Sequence, residues 1–331
     1  MSFALHEAKN PGPALKLEVI NVSSVETNGR AIWEREAHVQ LILETLVPPQ
    51  LAGKHQQQAK DYNKVLEVGP LDPEQNKAAA GVGIAAASGL RPYKLPNPTE
   101  DMKDAEATGR CSIYCIDLAG QTLAIAVIYG WTGGTKGSME AARTDDILEI
   151  VRTQFLLMEP GPKLIAADLN GSTNAFPTLE SMLAEQEWLD VGMAEDKCQG
   201  RVGQPTCHTK AQARETRIDY MIANAQLMLA ITKCRVDNTS CFPTHRPLMI
   251  EICTDKLETE VWQLQKPTNY AEMFEEKVQD TYERQEDVQE EGSTGGSGNK
   301  GKAKRKPKDE NEIRKELKGK LQELMDEQAS V

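Results

Sequence analysis

The chain has 331 residues, of which 39% are hydrophobic and 27% charged, and its formal net charge is −12. This composition supports a hydrophobic core and lacks the overall positive charge that marks many nucleic-acid-binding domains. The apolar runs are strand-sized, whereas a membrane-spanning helix needs about 20 apolar residues, so we expect no membrane span. Residues 1–13 show neither the basic nor the apolar region of a secretory signal.

The cysteines indicate a reducing environment. There are seven of them, and none forms a CxxC pair. Cys207 stands next to His208, but the sequence lacks the second pair of ligands that a strong zinc signal needs. We therefore expect free thiols and an intracellular protein, nuclear or cytoplasmic.

The first part of the chain predicts strands separated by loops. Apolar periodicity predicts a strand over 15–22 and a helical stretch within 33–46 that runs into a second apolar segment. The polar, glutamine-rich segment 47–77 indicates a long loop. The small apolar residues of 78–87 predict a buried strand, which the glycines let another backbone approach closely.

The later part alternates between strands and helices. The predicted elements are a hairpin over 111–118 and 121–129, a helix over 140–158, a strand over 163–168, a helix over 178–187, and strands over 218–223 and 248–253. Hairpins therefore coexist with strand–helix–strand units. This mixture favours an α+β layered sandwich with helices outside and mixed sheets between them.

The composition predicts several segments around one folded domain. We expect a loose arm over 1–13 and a folded domain over 14–254. Acidic residues dominate 255–291, whose apolar spacing predicts a helical extension. Residues 292–309 form a Gly/Ser-rich and then Lys/Arg-rich linker, which suits contact with nucleic acid, a nuclear signal or plain solvation. The apolar spacing of 310–331 predicts an amphipathic helix suited to pairing with a partner helix.

Acidic and amide residues stand where predicted strands end. Glu44 follows an apolar run, and a carboxylate there is costly unless it is paired, hydrogen-bonded or bound to a cation. Mg²⁺ takes few protein carboxylates and keeps several waters, so one such Glu suits it. Asp168 and Asn170 share one side of an extended chain, where they could activate water and hold a phosphate oxygen. Taken alone, each residue is more typical of a solvated strand end or turn.

A histidine and a further acid follow the same pattern. Asp219 begins a strand beside Arg217, and a buried acid can hold a histidine in one tautomer. His245, in the loop before the last strand, is the candidate partner, although a lone histidine is usually structural. Tyr129 ends a strand, and its phenol suits either donation to a phosphoryl oxygen or packing on Trp131.

These polar residues occur in an ordered series of short segments. The segments are Asn21, Leu43-Glu44-Thr45, Tyr129-Gly130, Ala167-Asp168-Leu169-Asn170, Arg217-Ile218-Asp219-Tyr220 and Pro243-Thr244-His245. Each is weak alone, but the ordered set resembles the endonuclease/exonuclease/phosphatase superfamily. The resemblance implies the DNase I-like fold, a four-layered α/β sandwich of two mixed β-sheets flanked by helices. It also implies magnesium-dependent cleavage of a phosphate ester.

The resemblance assigns the metal to the first and second of these segments and the nucleophilic water to the fourth. Glu44 would ligate Mg²⁺, or Mn²⁺ in its place, and Asn21 would lie beside the metal. Asp168 would orient or activate the attacking water, while the metal would neutralise the negative charge that develops on the phosphoryl group.

The remaining matched residues are assigned to the phosphate. The resemblance implies that Asn170 and Tyr129 contact it, and that Asp219 orients His245, which stabilises charge at phosphorus. A further set would bind or support the substrate phosphate: Asn174, Arg217 and Thr244.

Four positions depart from the family pattern, and two of them lack an acid. Thr244 stands where the family carries its terminal acid, and Ser23 stands where some of its nucleases carry another. Both changes would reduce metal affinity. Leu43 and Leu169 replace the usual Gln and Phe, which are mild changes.

The sequence leaves three functions open. The first is a Mg²⁺-dependent DNA endonuclease resembling the endonuclease domains of LINE-type retrotransposons. The second is a phosphatase of the same fold that acts on a small-molecule or lipid phosphate ester. The third is a catalytically impaired binding module, which Thr244 and the predicted C-terminal amphipathic helix support.

Overall fold

The computed structural model describes residues 14–73, 80–118, 120–208, 215–240 and 242–257, together with 311–312, 314–315 and 318–319. The chain separates into two compact units, residues 1–259 and 260–331. The six described residues of the second unit are helical. The predicted arm, the linker, and most of the acidic extension and C-terminal helix lie outside the described residues. Those boundaries therefore stay predictions.

Two six-stranded sheets form the centre of the first unit. The first has the order β11-β12-β1-β2-β4-β3, with strands β1 Ala14–Asn21, β2 Val39–Leu43, β3 Lys64–Val68, β4 Val82–Ala87, β11 Ile231–Val236 and β12 Leu248–Cys253. The second has the order β5-β6-β7-β8-β10-β9, with strands β5 Tyr93–Lys94, β6 Cys111–Leu118, β7 Gln121–Tyr129, β8 Lys163–Asp168, β9 Trp188–Asp190 and β10 Asp219–Asn224. Strands β1 and β2 run parallel, as do β7 and β8, while the other pairs described are antiparallel.

Helices cover the outer faces of both sheets. The α-helices of the first unit's described residues are α1 Val25–Trp33, α2 Pro49–Asp61, α3 Glu100–Ala107, α4 Met139–Leu157, α5 Pro177–Ala184, α6 Glu195–Cys198 and α7 Ala225–Ala230. Buried residues of α1 and α2 pack on the first sheet, and those of α3, α4 and α5 pack on the second. The order helix, sheet, sheet, helix confirms the predicted four-layered sandwich. No helix within the described ranges is both long and apolar enough to cross a membrane.

The alternation of side chains along each strand builds these layers. Strand β1 directs Leu15, Leu17 and Val19 into the core between the sheets, whereas Ile20 faces the helices. The second sheet divides in the same way, so successive residues of β7 enter different cores. A strand that is buried on both faces has a continuous run of apolar residues. This explains why β7 and β8 could be predicted from the sequence.

The register brings several strand ends to one edge of the sandwich. Asn21 pairs with Leu43 where the parallel strands β1 and β2 both end. Tyr129 pairs with Asp168 at the ends of β7 and β8, and Asp219 pairs with Asp168 where β10 begins. Parallel neighbours end at the same side of a sheet, so their terminal side chains lie close together.

Several predicted elements are confirmed. The hairpin is present as the antiparallel strands β6 and β7, and the strand over 163–168 matches β8. The helix over 140–158 corresponds to α4 and the strand over 248–253 to β12. The strand over 78–87 is shorter than predicted, because β4 begins at Val82.

Two predictions in the first part of the chain are wrong. The segment 47–77 contains α2 and β3, because Pro49 starts a helix whose buried positions are His55 and Ala59. The helix predicted after Trp33 lies before that residue, as α1. In both cases the helix is amphipathic, and its few buried residues are separated by polar ones.

Replacing Leu41 by Ala should lower the free energy of unfolding by about 2–5 kcal/mol, because the side chain is fully buried between the two sheets. Urea denaturation followed by circular dichroism measures the change. The control is Leu229→Ala, since that side chain is 73% exposed and its removal should change stability by less than about 0.5 kcal/mol. Equal effects of the two changes would contradict the inter-sheet core.

Candidate active site

Two acids and one histidine lie together where β8 ends and β10 begins. Asp168 and Asp219 are buried, and His245 is 8% exposed. One ligand atom from each residue lies within 4.8 Å of those of the other two. Nδ1 of His245 lies 3.0 Å from Oδ2 of Asp219, and Nε2 lies 3.8 Å from Oδ2 of Asp168. The imidazole therefore bridges two carboxylates, as the sequence predicted for Asp219 and His245.

Asp168 is held by hydrogen bonds on both carboxylate oxygens. Nδ2 of Asn21 donates to Oδ2 of Asp168 at 2.9 Å, and the backbone N–H of Asn170 donates to Oδ1 at 2.9 Å. The Asn21 amide is itself oriented by Ser23, whose N–H donates to Oδ1 at 3.0 Å. Since Asn21 belongs to the first sheet and Asp168 to the second, this bond joins the sheets at the site.

Asn170 reaches Asp168 in a way that the sequence did not predict. Its backbone is left-handed, with φ of 52°, so Asp168 and Asn170 do not share one side of an extended chain. They are instead joined by a turn in which the side chain of Asp168 accepts from the backbone of Asn170. The Asn170 side-chain amide donates to the carbonyl of Gly130 at 3.0 Å.

Thr206, which was not predicted from the sequence, holds the backbone at the start of β10. Its buried hydroxyl accepts from the backbone N–H groups of Ile218, at 3.2 Å, and Asp219, at 3.0 Å. Cys207 next to it forms a β-bridge with His245, and the N–H of Arg246 donates to the carbonyl of Thr206. One segment thus positions both members of the acid–histidine pair. A threonine in a polar loop carries no sequence signal for this role.

The loop that carries His245 is also anchored to the first sheet. Nη2 of Arg35 donates to Asp237 at 2.9 Å, and its Cζ lies 5.9 Å from the centre of the Phe242 ring. Both oxygens of the buried Glu18 accept from Nε of Arg35. These contacts hold the loop on both sides of residue 240 before it delivers His245 to the site.

Glu44 lies at the end of β2 in a strained conformation. Its φ is 57°, and those of Ser23 and Leu46 are 56° and 50°. A non-glycine residue in the left-handed region costs roughly 1–3 kcal/mol, and such residues cluster at functional sites. Glu44 is half-buried and its charge is one of those that act on Tyr129 and His245. Glu44 therefore acts on the cluster through its charge, and its role as a metal ligand stays a prediction.

The electrostatics of the cluster raise the pKa values of Asp168 and His245. Burial, followed by the charge of Asp219, raises the pKa of Asp168 to about 7. Burial alone would lower the pKa of His245, but Asp219, then Asp168 and Glu44, raise it to about 9. At neutral pH the imidazole is therefore cationic, and Asp168 can gain or lose a proton.

Tyr129 stands at the end of β7, opposite Asp168. It is half-buried, and burial together with the charges of Glu44 and Asp168 raises the pKa of its phenol, so the phenol keeps its proton. A protonated phenol can donate a hydrogen bond. Trp131 is held by Arg110 and Arg143, whose Cζ atoms lie 4.6 and 4.3 Å from its ring centre.

Three predicted supporting residues have other partners or positions. Arg217 forms a two-pronged ion pair with Asp190 and stacks on the ring of Tyr220 at 4.6 Å. Asn174 is exposed and accepts from the hydroxyl of Ser172. Thr244 is half-buried, and its carbonyl accepts from the N–H of His208. Their substrate roles stay predictions.

The oxygen donors at this edge fit a hard cation. Asp168, Asp219 and Glu44 bring three carboxyl groups toward a single imidazole, an excess of acidic groups over the one basic group. A divalent cation would relieve that excess, and carboxylate and amide oxygens are the ligands Mg²⁺ prefers. The half-buried Glu44 and the oxygen of Asn21 are the residues here that would hold it.

Replacing Asp219 by Asn should lower the pKa of His245 from about 9, because it removes the largest raising charge and leaves burial in place. The wild-type pair should stabilise the fold fully below about pH 6.5, and this contribution should be lost as the pH rises through about 9, because the folded-state pKa exceeds the unfolded one. NMR titration of the imidazole signals in EDTA measures the shift.

The control for that titration is Asp145→Asn. Asp145 is a half-buried acid on α4 that accepts from Thr178, away from the histidine. Its replacement should leave the His245 midpoint unchanged. A midpoint that stayed near 9 in Asp219→Asn would contradict the assigned cause.

Solved structures with the same arrangement of layers include several DNA-processing enzymes. A 3′ phosphatase from Neisseria, NExo, superposes with a TM-score of 0.57 over 72% of this chain and 99% of its own, at 13% identity. An AP endonuclease from Archaeoglobus fulgidus gives a TM-score of 0.56 over 71% and 98%, at 16% identity. The endonuclease domain of TRAS1, a telomere-specific non-LTR retrotransposon, gives 0.50 over 73% and 99%, at 16% identity.

Sequence comparison adds no relative to these. No protein-family model matches the chain, and no curated protein sequence matches it. At these identities the structural likeness establishes the fold. With its two mixed sheets between helical layers and nearly the full length of each neighbour superposed, the chain has the DNase I-like fold.

Proposed function

We propose that the chain is a divalent-metal-dependent phosphodiester hydrolase that cleaves DNA. The observation that carries the proposal is the buried cluster of Asp168, Asp219 and His245, with Asn21 on Asp168 and Glu44 at the adjacent strand end. Burial of two acids is costly, and such acids with shifted pKa values beside a histidine are typical of functional sites. The same fold in NExo was solved with a product DNA hairpin, which supports DNA as the substrate.

Mg²⁺, or Mn²⁺ in its place, is the cofactor that we propose for this site. Glu44 and Asn21 would hold it with their oxygens. When bound, such a cation supplies neutralisation of the charge that develops on the phosphoryl oxygens.

Asp168 and His245 are the residues that we place at the reacting atoms. Asp168 is a buried carboxyl beside the proposed metal ligands, and a carboxylate so placed can accept a proton from water. Asp168 would orient the attacking water and accept its proton as the water oxygen bonds to phosphorus and the ester bond opposite breaks. His245, kept cationic by Asp219, would stabilise the charge on the phosphoryl group. The phenol of Tyr129 and the amide of Asn170 would donate to its oxygens.

A retroelement-type endonuclease is the more specific form of this proposal. It is supported by the ordered motif series and by the fold shared with the TRAS1 endonuclease domain. A nuclear or cytoplasmic location agrees with it, because the cysteines within the described ranges are all free thiols. The net charge of −12 means that DNA would be held by local contacts around the site.

A catalytically impaired binding module is the second candidate. Thr244 supports it, because its side chain offers no charge beside His245 where the family places an acid. A phosphatase that acts on a small-molecule or lipid phosphate ester would use the same cluster and differ only in substrate.

Purified protein should nick supercoiled plasmid with Mg²⁺ and fail to do so in EDTA. Glu44→Gln and His245→Gln should each lower the rate at least about 100-fold, since they remove the metal ligand and the charge stabiliser. Gel electrophoresis of plasmid forms measures the rate.

The matched controls are Glu67→Gln on β3 and His38→Gln. In the wild type, Nδ1 of His38 accepts from the N–H of Lys16. Both residues lie outside the cluster and should keep wild-type nicking. Absence of nicking by the wild type, together with hydrolysis of a small phosphate ester, would replace DNA by the small-molecule substrate.

Replacing Thr244 by Asp should change the nicking rate by less than about tenfold, since Asp219 already holds the imidazole of His245 at 3.0 Å. The same plasmid assay over a range of Mg²⁺ concentrations measures both rate and metal requirement. A gain of about 100-fold or more would contradict an intact catalytic site and would support the impaired module.

A further inference from the structure

A buried arginine lies beside the site without belonging to the proposed chemistry. Arg110 precedes β6 and is only 4% exposed. Its Nε and Nη2 donate to Oδ2 of Asp72 at 3.1 and 3.0 Å. A buried ion pair is costly to desolvate and is therefore weak evidence for stability by itself. The remaining contacts of the Arg110 guanidinium indicate another role for this ion pair.

Those contacts lead to the segment that carries Tyr129. Nη1 of Arg110 donates to the carbonyl of Gly130 at 3.2 Å. The N–H of Tyr129 donates to the carbonyl of Arg110 at 2.8 Å. Cζ of Arg110 lies 5.4 Å from the centre of the Tyr129 ring. Cζ of Arg110 also lies 4.6 Å from the centre of the Trp131 ring. The guanidinium thus contacts three consecutive residues at the end of β7.

The carbonyl of Gly130 is shared between Arg110 and Asn170. Nδ2 of Asn170 donates to it at 3.0 Å, and the N–H of Gly130 donates to the carbonyl of Asp168 at 2.7 Å. The approach of the two strand ends is close, because a Cβ on Gly130 would meet the carbonyl oxygen of Leu169 at 2.8 Å. Because both side chains donate to the carbonyl of Gly130, the position of Arg110 affects the position of the Asn170 side-chain amide.

We propose that Arg110, held by Asp72, is a positioning residue of this site. Through the carbonyl of Gly130 it fixes the amide of Asn170, and through its backbone and ring contacts it fixes the phenol of Tyr129. These are the two groups assigned to the phosphate, so the catalytic consequence rests on the proposed function. Arg110 does not touch substrate in this role. It determines where the two donors point.

Arg110→Lys is the informative variant. It keeps the positive charge toward Asp72 but loses the planar fork that reaches Asp72 and Gly130 together. We expect kcat for plasmid nicking to fall at least about tenfold, because misplacement of a reacting group by about 1 Å can cost about 100-fold. KM should stay within about twofold. An unchanged circular dichroism spectrum and an unchanged urea midpoint would distinguish positioning from a loss of folded protein.

The matched control is Arg152→Lys. Arg152 on α4 pairs with Glu149 and Glu185, so it is also an arginine held by acids, but it does not contact the site. It should keep both kcat and KM. Should Arg110→Lys fail to fold, Asp72→Asn tests the same arrangement, because it removes the negative charge that pairs with Nε and Nη2 and leaves the arginine in place.

A second measurement does not depend on activity. The side-chain amide signal of Asn170 in a ¹⁵N spectrum, assigned by its loss in Asn170→Asp, should move or broaden in Arg110→Lys and stay in place in Arg152→Lys. An unmoved signal, or kcat within about twofold of an active wild type, would overturn the proposal. If the wild type hydrolyses no phosphate ester, the proposed function falls, and the amide signal alone decides whether Arg110 positions Asn170.

Discussion

The structure depends on placing two buried carboxyl groups next to one imidazole. Asp168 and Asp219 repel each other, and burial penalises the charge of both. His245 compensates by lying 3.0 Å from one and 3.8 Å from the other. The remaining bonding capacity of Asp168 is met by Asn21 from the facing sheet. The fold therefore has to bring both sheets to the same edge before this cluster can form.

Backbone strain is concentrated at the same edge. Ser23, Glu44 and Asn170 each follow a strand end and each has a left-handed backbone, at a cost of roughly 1–3 kcal/mol per residue. The cost is offset by the inter-sheet core, in which side chains such as Leu41 are completely buried. This conformation turns the chain sharply, so that polar groups at the strand ends point across the edge. Rigid sheets thus hold a set of conformations that the isolated segments would not adopt.

The prediction of elements succeeded where burial is continuous and failed where it is sparse. Strand β8 consists of apolar residues that are buried on both faces, so its extent could be predicted without a structure. Helix α2 buries only His55 and Ala59 among thirteen residues, many of them glutamine and lysine. Its composition is that of a polar loop, although glutamine and lysine are favourable helix formers. The helix packs on the first sheet through the buried Ala59 and the partly buried Leu51 and Ala52.

For the site, the order of the polar strand ends could be recognised in the sequence, because it resembles the motif series of the superfamily. This order sufficed to predict that Asn21, Asp168, Asp219 and His245 belong together. It could not decide the pairing of the Asn170 amide, the left-handed turn that joins it to Asp168, or the use of Arg217 by Asp190. It also gave no indication of Thr206 or Arg110, whose partners lie 13 and 20 residues away along the chain. Residue types along a strand determine which groups are available at its end, whereas hydrogen-bond partners depend on distances that only the packed sheets set.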